Sequence, residues 1–170
     1  MNFIIKKAKK DDAILIYNLI KESLKSKKWE FTGIKECKRY YLNYLKKSLK
    51  YNSSCVYFIA FEKNNKKNAC GFITYSFKKK SRIRHRIELS WGVHPNYFGK
   101  GLGTLLLETA LENARKKGFK RAEAEIVKNN KSSLKIAKKL GFKIEGKKNK
   151  AFISDDNNYL DTYIVGKLLE

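Results

Sequence analysis

Three of the chain's ten glycines, Gly99, Gly101 and Gly103, crowd into one turn shortly after its single proline, Pro95. That cluster separates two different periodicities. Before it, Ile87, Leu89, Trp91 and Val93 alternate with polar or small residues, as on one face of a strand. After it, Leu107, Ala110, Leu111 and Ala114 recur at helical spacing until Gly118 stops the run. A strand end, a glycine-rich turn and a helix start therefore adjoin. A helix N-terminus carries unpaired N–H groups and the positive end of a dipole. Glycines lack Cβ atoms, so a phosphate can approach their backbone closely. Lys100 adds a charge and Thr104 a hydroxyl. The turn lacks the GxxxxGK[ST] pattern of a P-loop. A dinucleotide fingerprint needs a parallel βαβ unit of about 30 residues, whereas the pattern before this turn is mainly antiparallel.

The rest of the chain gives that turn its setting. Phe3 to Ile5 predicts a first strand. Asp11 or Asp12 can cap a helix whose stripe is Ala13, Ile16, Tyr17, Ile20 and Leu24. Trp29 to Gly33 reads as a connection, and Cys37, Tyr40, Tyr41, Tyr44 and Leu45 mark a second helix. Residues 55–61 and 69–77 form a hairpin around the polar turn 62–68. A long strand is predicted over 82–93, with His85 on its apolar face and Arg84, Arg86 and Glu88 on the other. Ala122, Ala124 and Ile126 alternate along a further strand. Asn129 or Asn130 caps a short helix that Gly141 closes, and strands at 142–147 and 159–168 end the chain. The order β-α-α-β-β-β-α-β-α-β-β predicts an α/β fold: one mixed, mostly antiparallel sheet of about seven strands flanked by about four helices. No repeat or linker divides it, so 1–170 reads as a single domain.

Composition narrows the classes. With 42% hydrophobic residues over 170, the chain can bury a core. It contains no apolar run of membrane-spanning length and no signal-peptide pattern near Met1, so a cytoplasmic location without membrane contact is expected. Cys37, Cys55 and Cys70 lack CxxC spacing and sit among apolar neighbours, and the only histidines are His85 and His94. Neither a disulfide framework nor a metal site is expected. The net charge of +23 has two readings. It can serve an anionic partner such as a ribosome or nucleic acid. It can also reflect a bias toward Lys, Asn, Ile, Tyr and Phe, which the scattered lysine doublets favour.

The segment Val93 to Thr104 resembles the acetyl-CoA pyrophosphate motif of the GNAT superfamily, [Q/R]-x-x-G-x-[G/A] after a V-x-P strand end. Asn130 to Phe142 resembles the same family's N-x-x-[A/S]-x-x-[L/V]-x-x-x-x-G-F segment, nearer its ribosomal-protein N-acetyltransferase branch. Glu145-Gly146 and Tyr159-Leu160-Asp161 are similar to its closing strands. The resemblance implies acetyl transfer from acetyl-CoA to a primary amine by direct attack, with no metal. It implies cofactor binding by Val93, His94, Phe98, Gly99, Lys100, Gly101, Leu102, Gly103, Thr104 and Asn130. Two positions depart from the pattern. Phe98 replaces the usual Gln or Arg. Ala137 replaces a Tyr thought to protonate the departing thiolate, a role for which Ser133 is a candidate; Ser133 reads equally as a helix residue near the N-cap. Glu88 and Glu125 are candidate bases by similarity to amino-acid-analogue and ribosomal-protein acetyltransferases, and Glu88 ranks first. Either carboxylate would otherwise be a strand glutamate paired with a surplus cation, such as Arg84 or Arg86. The expected acceptor is a protein N-terminus or an amino-acid-like molecule. The sequence is compatible with a homodimer, with a CoA-binding module lacking catalysis and with a ribosome-associated binder.

Overall fold

The computed structural model describes residues 2–25, 39–50, 54–64, 67–79, 81–154 and 156–170. Seven strands and four α-helices follow one another as β1 (Phe3–Lys7), α1 (Ala13–Lys25), α2 (Arg39–Ser48), β2 (Cys55–Glu62), β3 (Gly71–Ser76), β4 (Arg86–Val93), α3 (Leu102–Lys116), β5 (Arg121–Val127), α4 (Lys131–Lys139), β6 (Lys143–Ile153) and β7 (Tyr159–Leu168). This is the predicted order. The strands form one sheet in the order β1-β2-β3-β4-β5-β7-β6. Among the described residues β4 and β5 pair in parallel, and every other pairing is antiparallel.

Alternation along the strands divides the core between two faces. On one face Ile73, Tyr75, Ile87, Leu89, Ala122, Ala124 and Val165 pack against Leu102, Leu106, Leu107, Ala110 and Leu111 of α3 and Ala137 of α4. On the other, Tyr57, Ile59, Phe61 and Phe72 meet Ala13, Ile16, Leu19 and Ile20 of α1 and Leu45 of α2. Of the stripes read from spacing, Leu107, Ala110, Leu111 and Ala114 of α3, Ala13, Ile16 and Ile20 of α1 and Leu45 of α2 are buried, whereas Tyr44 is exposed. Cys70 is buried and Cys55 packs at the edge of the second core; Cys37 and the 29–33 connection lie outside the described residues.

Three boundaries differ from the sequence reading. The fourth strand starts at Arg86, not at residue 82. Residues 82–85 form a turn, held by Ile83 N–H donating to the Ser81 hydroxyl (3.2 Å) and Arg84 N–H to the Ser81 carbonyl (3.1 Å). A serine that hydrogen-bonds its own backbone competes with a ladder. β6 extends to Ile153, because β7 pairs with it through an irregularity between Lys148 and Phe152. Asp12 belongs to a short 3-10 turn before α1, where its carboxylate accepts from Lys9 N–H and Lys6 Nζ, both at 2.9 Å.

Candidate active site

The parallel register of β4 and β5 runs Arg86↔Arg121, Ile87↔Ala122, Glu88↔Glu123 and ends there. β4 continues to Val93 and β5 to Val127 with no further pairing between them, so the sheet opens in its middle. On the β3 side, His94 N–H donates to the Cys70 carbonyl (2.8 Å). On the β5 side, the His85 carbonyl accepts from Lys120 N–H (2.8 Å). Backbone groups alternate sides along a strand. Those of Leu89, Trp91 and Val93 therefore point into the opening.

A cleft of about 490 Å³ continues the opening between α3 and α4. Its lining includes Val93, Phe98, Gly99, Gly101, Leu102, Gly103, Thr104, Asn130 and Ser133 from the sequence reading. Gly99 and Gly101 sit at φ +73° and +78°, a region that side chains with a Cβ rarely enter. Gly101 is the N-cap of α3 and supplies no side-chain cap, and no acid occupies the first turn. The first amides of α3 are thus left to a ligand or solvent, with the positive end of the helix dipole behind them. Among the described residues the lining contains no carboxylate, and it carries Lys135 and Lys139, one turn apart on α4. Uncapped amides, glycines and lysines suit a polyphosphate group.

Gly103 has a different role from its two neighbours. A Cβ there would meet Ile136 Cδ1 at 2.9 Å, so this glycine lets α3 approach α4. Asn130 is the N-cap of α4, accepting from Ser133 N–H through Oδ1 at 3.1 Å. His94 and Lys100 lie outside the cleft lining. His94 Nδ1 accepts from Asn96 N–H (3.2 Å). Lys100 Nζ donates to the Asn96 carbonyl (2.6 Å) and stands 5.1 Å from the Tyr97 ring centre.

The carboxylates lie on the opposite face of the sheet from α3, on the side of α1 and α2. Glu88 flanks Glu123 at the vertex of the opening. It is exposed and, among the described residues, has no hydrogen-bond or ion-pair partner. Arg86 instead reaches Glu123 (3.2 Å), and Arg84 donates to the Ser81 carbonyl (3.4 Å). Glu125 is engaged: it accepts from Lys148 Nζ and from the Thr162 hydroxyl, both at 2.6 Å. Burial pushes its carboxyl up, but these two hydrogen bonds and the lysine charge outweigh that and hold it below the ordinary glutamate range. The paired-glutamate alternative thus describes Glu125 and not Glu88. Asp161, another acid of the chain, is committed to Lys147 Nζ (3.3 Å) and Lys150 N–H (3.1 Å).

Residues 16–142 match the model of the acetyltransferase (GNAT) family. The chain belongs to that family. A segment of 60 residues is 42% identical to the L-amino acid N-acyltransferase MnaT of Escherichia coli, spanning 35% of either chain, or about a third of that relative's length. Two solved structures share the fold over nearly the whole chain. The phosphinothricin acetyltransferase of Sinorhizobium meliloti, in complex with AcCoA, superposes with a TM-score of 0.85 at 22% identity, covering 99% of this chain and 89% of that one. The ribosomal-protein-S5-alanine acetyltransferase of Vibrio fischeri gives 0.80 at 21%, covering 100% and 94%. At such identities the likeness is one of fold.

Several GNAT cleft residues escaped the sequence reading: Trp91, Gly92, Tyr97, Ser132, Lys135, Ile136 and Lys139. Four of them, Ser132, Lys135, Ile136 and Lys139, follow an i, i+3, i+4, i+7 stripe along α4. That stripe was available as a signal, but it mixes a serine and two lysines with one apolar residue and so carries no apolar periodicity. Among the described residues no three His, Cys, Asp or Glu side chains gather as a metal site. No helix described is long and apolar enough to cross a membrane.

Proposed function

We propose that the protein is an N-acetyltransferase moving the acetyl group of acetyl-CoA to a primary amine within a ternary complex. The unpaired stretch of β4 and β5, running from the carboxylate-free cleft to Glu88, carries this reading. The diphosphate lies against Gly99, Gly101 and the first turn of α3, with Lys135 and Lys139 adding charge. The thioester end enters the opening, where the Val93 amide faces the acyl oxygen and stabilises the oxyanion of the tetrahedral intermediate. The amine arrives from the face that carries Glu88. That carboxylate, directly or through one water, takes the amine's proton as the N–C bond forms. The C–S bond then breaks and CoA leaves as a thiolate.

The acid step is light. A thiol has an ordinary pKa of about 8.5, so its anion is a tolerable leaving group near neutral pH. Ser133, half-buried in the cleft lining, is the hydroxyl available to protonate it. Ala137 is buried at 2% exposure and belongs to the α3–α4 core, so that position supports packing. The relatives point toward an acceptor that is an amino-acid-like amine or a protein N-terminus. An acceptor screen following CoA thiol release tests the proposal, with amino acids, their analogues and N-terminal peptides as amines. Release that depends on one of these classes is the expected result. Acetyl-CoA binding with no release for any amine would instead favour a CoA-binding module.

A further inference from the structure

The far end of α3, about 22 Å along the helix from the cleft, bears a second and different depression. It has a volume of about 390 Å³ and lies between the end of β3, the turn before β4 and the connection from α3 to β5. Phe77 and Phe119 form part of its wall, their ring centres 5.0 Å apart and both partly exposed. Lys78, Arg84, His85 and Lys117 surround them. The two segments that build this end, residues 77–87 and 113–122, contain no aspartate or glutamate. Lys117 stands 5.9 Å from the Tyr75 ring centre, and burial together with the charge of Lys7 lowers its ammonium below the ordinary lysine range. A helix C-terminus favours a positive charge in its last turn. Arg115 and Lys116 already occupy that turn, with Lys116 paired to Glu112 (2.6 Å). The remaining cations exceed what the helix end uses.

We propose that this aromatic-walled basic depression docks single-stranded nucleic acid, with a base against Phe77 and Phe119 and phosphates along Lys78, Arg84 and Lys117. Charge complementarity selects a polyanion, and the partly exposed rings select one with accessible bases. A base-paired duplex keeps its base faces stacked and offers only phosphate. The site is separate from the acetyl-CoA cleft and does not depend on the catalytic proposal.

The probe is a fluorescent oligouridylate, titrated by anisotropy across a salt series. Lys78→Glu/Lys117→Glu should weaken binding by roughly tenfold or more and flatten the log–log salt slope by about 1.4, the equivalent of two single-strand phosphate contacts. Lys63→Glu/Lys138→Glu, with the same charge change on exposed positions elsewhere, should weaken it less than about threefold. The thermal stabilisation by acetyl-CoA should persist in both, which separates this outcome from any failure of the cleft assignment. Equal weakening by the two pairs would overturn the proposal. So would no binding, or duplex and inorganic polyphosphate binding as tightly as oligouridylate. Ultraviolet cross-linking of the same probe to the unmodified protein gives a readout independent of how the variants fold. Cross-links should map to peptides containing Phe77 or Phe119, and mapping elsewhere would reject the site.

Discussion

Gly101 shows how a single residue ties backbone geometry to ligand binding. A Cβ there would meet nothing within 4 Å, yet the residue holds φ +78°. The demand is conformational, not steric. Gly101→Val should therefore cost at least about 1–2 kcal/mol in urea denaturation and weaken acetyl-CoA binding roughly tenfold as the first turn of α3 shifts. Calorimetric titration alongside the melt checks both. The two glutamates divide in the same way. Glu88 is exposed and has no partner among the described residues, while Glu125 is held by Lys148 and Thr162. Glu88→Gln should lower kcat by about 100- to 10,000-fold with acetyl-CoA affinity unchanged, and Glu125→Gln should change kcat less than about fivefold. The reverse order in steady-state kinetics would make Glu125 the base. Glu125 contributes to stability instead. Its folded pKa lies below the ordinary 4.5, so the unfolded chain binds its proton first as pH falls. The contribution is complete well above pH 4.5 and is lost as pH drops through the lower folded value. The melting-temperature gap between the parent and Glu125→Gln should be flat from about pH 7 to 5.5 and close below about pH 4.5. The sequence could rank these glutamates by resemblance but could not separate them. Their difference lies in whether partners meet the carboxylate across the sheet, and Lys148 and Thr162, which hold Glu125, are far away in the chain.

At the scale of elements, α3 and α4 are the pair that shapes the cleft, and Gly103 sets their spacing. Adding a methyl group forces Ile136 Cδ1 to yield from 2.9 Å. Gly103→Ala should cost about 1–3 kcal/mol by overpacking. Ile136→Val removes the atom that clashes, so the double variant should be more stable than the two single losses predict. A double-mutant cycle in urea measures that coupling. Simple additivity would mean that α4 moves aside freely. The sequence led to Gly103 by its place in a motif and suggested contact with phosphate. The packing reason became visible only with the two helices side by side. Periodicity recovered the order of the eleven described elements, because most of them bury one face in the core. It failed at Arg82–His85, where serine-centred hydrogen bonds favour a turn, and along β6. That strand is exposed over most of its length and carries little hydrophobic alternation to mark its end.

For the whole molecule, the opening between β4 and β5 was not legible in the sequence. Both strands keep a strand-like pattern beyond Glu88 and Glu123, and nothing in one strand records where its neighbour parts from it. Cations gather near both ends of α3: Lys135 and Lys139 of α4 line the cleft beside its first turn, and Lys78, Arg84 and Lys117 surround Phe77 and Phe119 at its far end. In the proposed reaction acetyl passes from acetyl-CoA directly to an amine held at the opening. The most direct test supplies acetyl-CoA labelled in its acetyl group, with and without the best acceptor from the screen, and then locates the label after denaturing the protein. Direct transfer puts label on the acceptor nitrogen and none on the protein in either case, and it releases CoA only when the amine is present. Label retained covalently on the protein, or acetyl-CoA bound and left intact beside every amine tried, would contradict it.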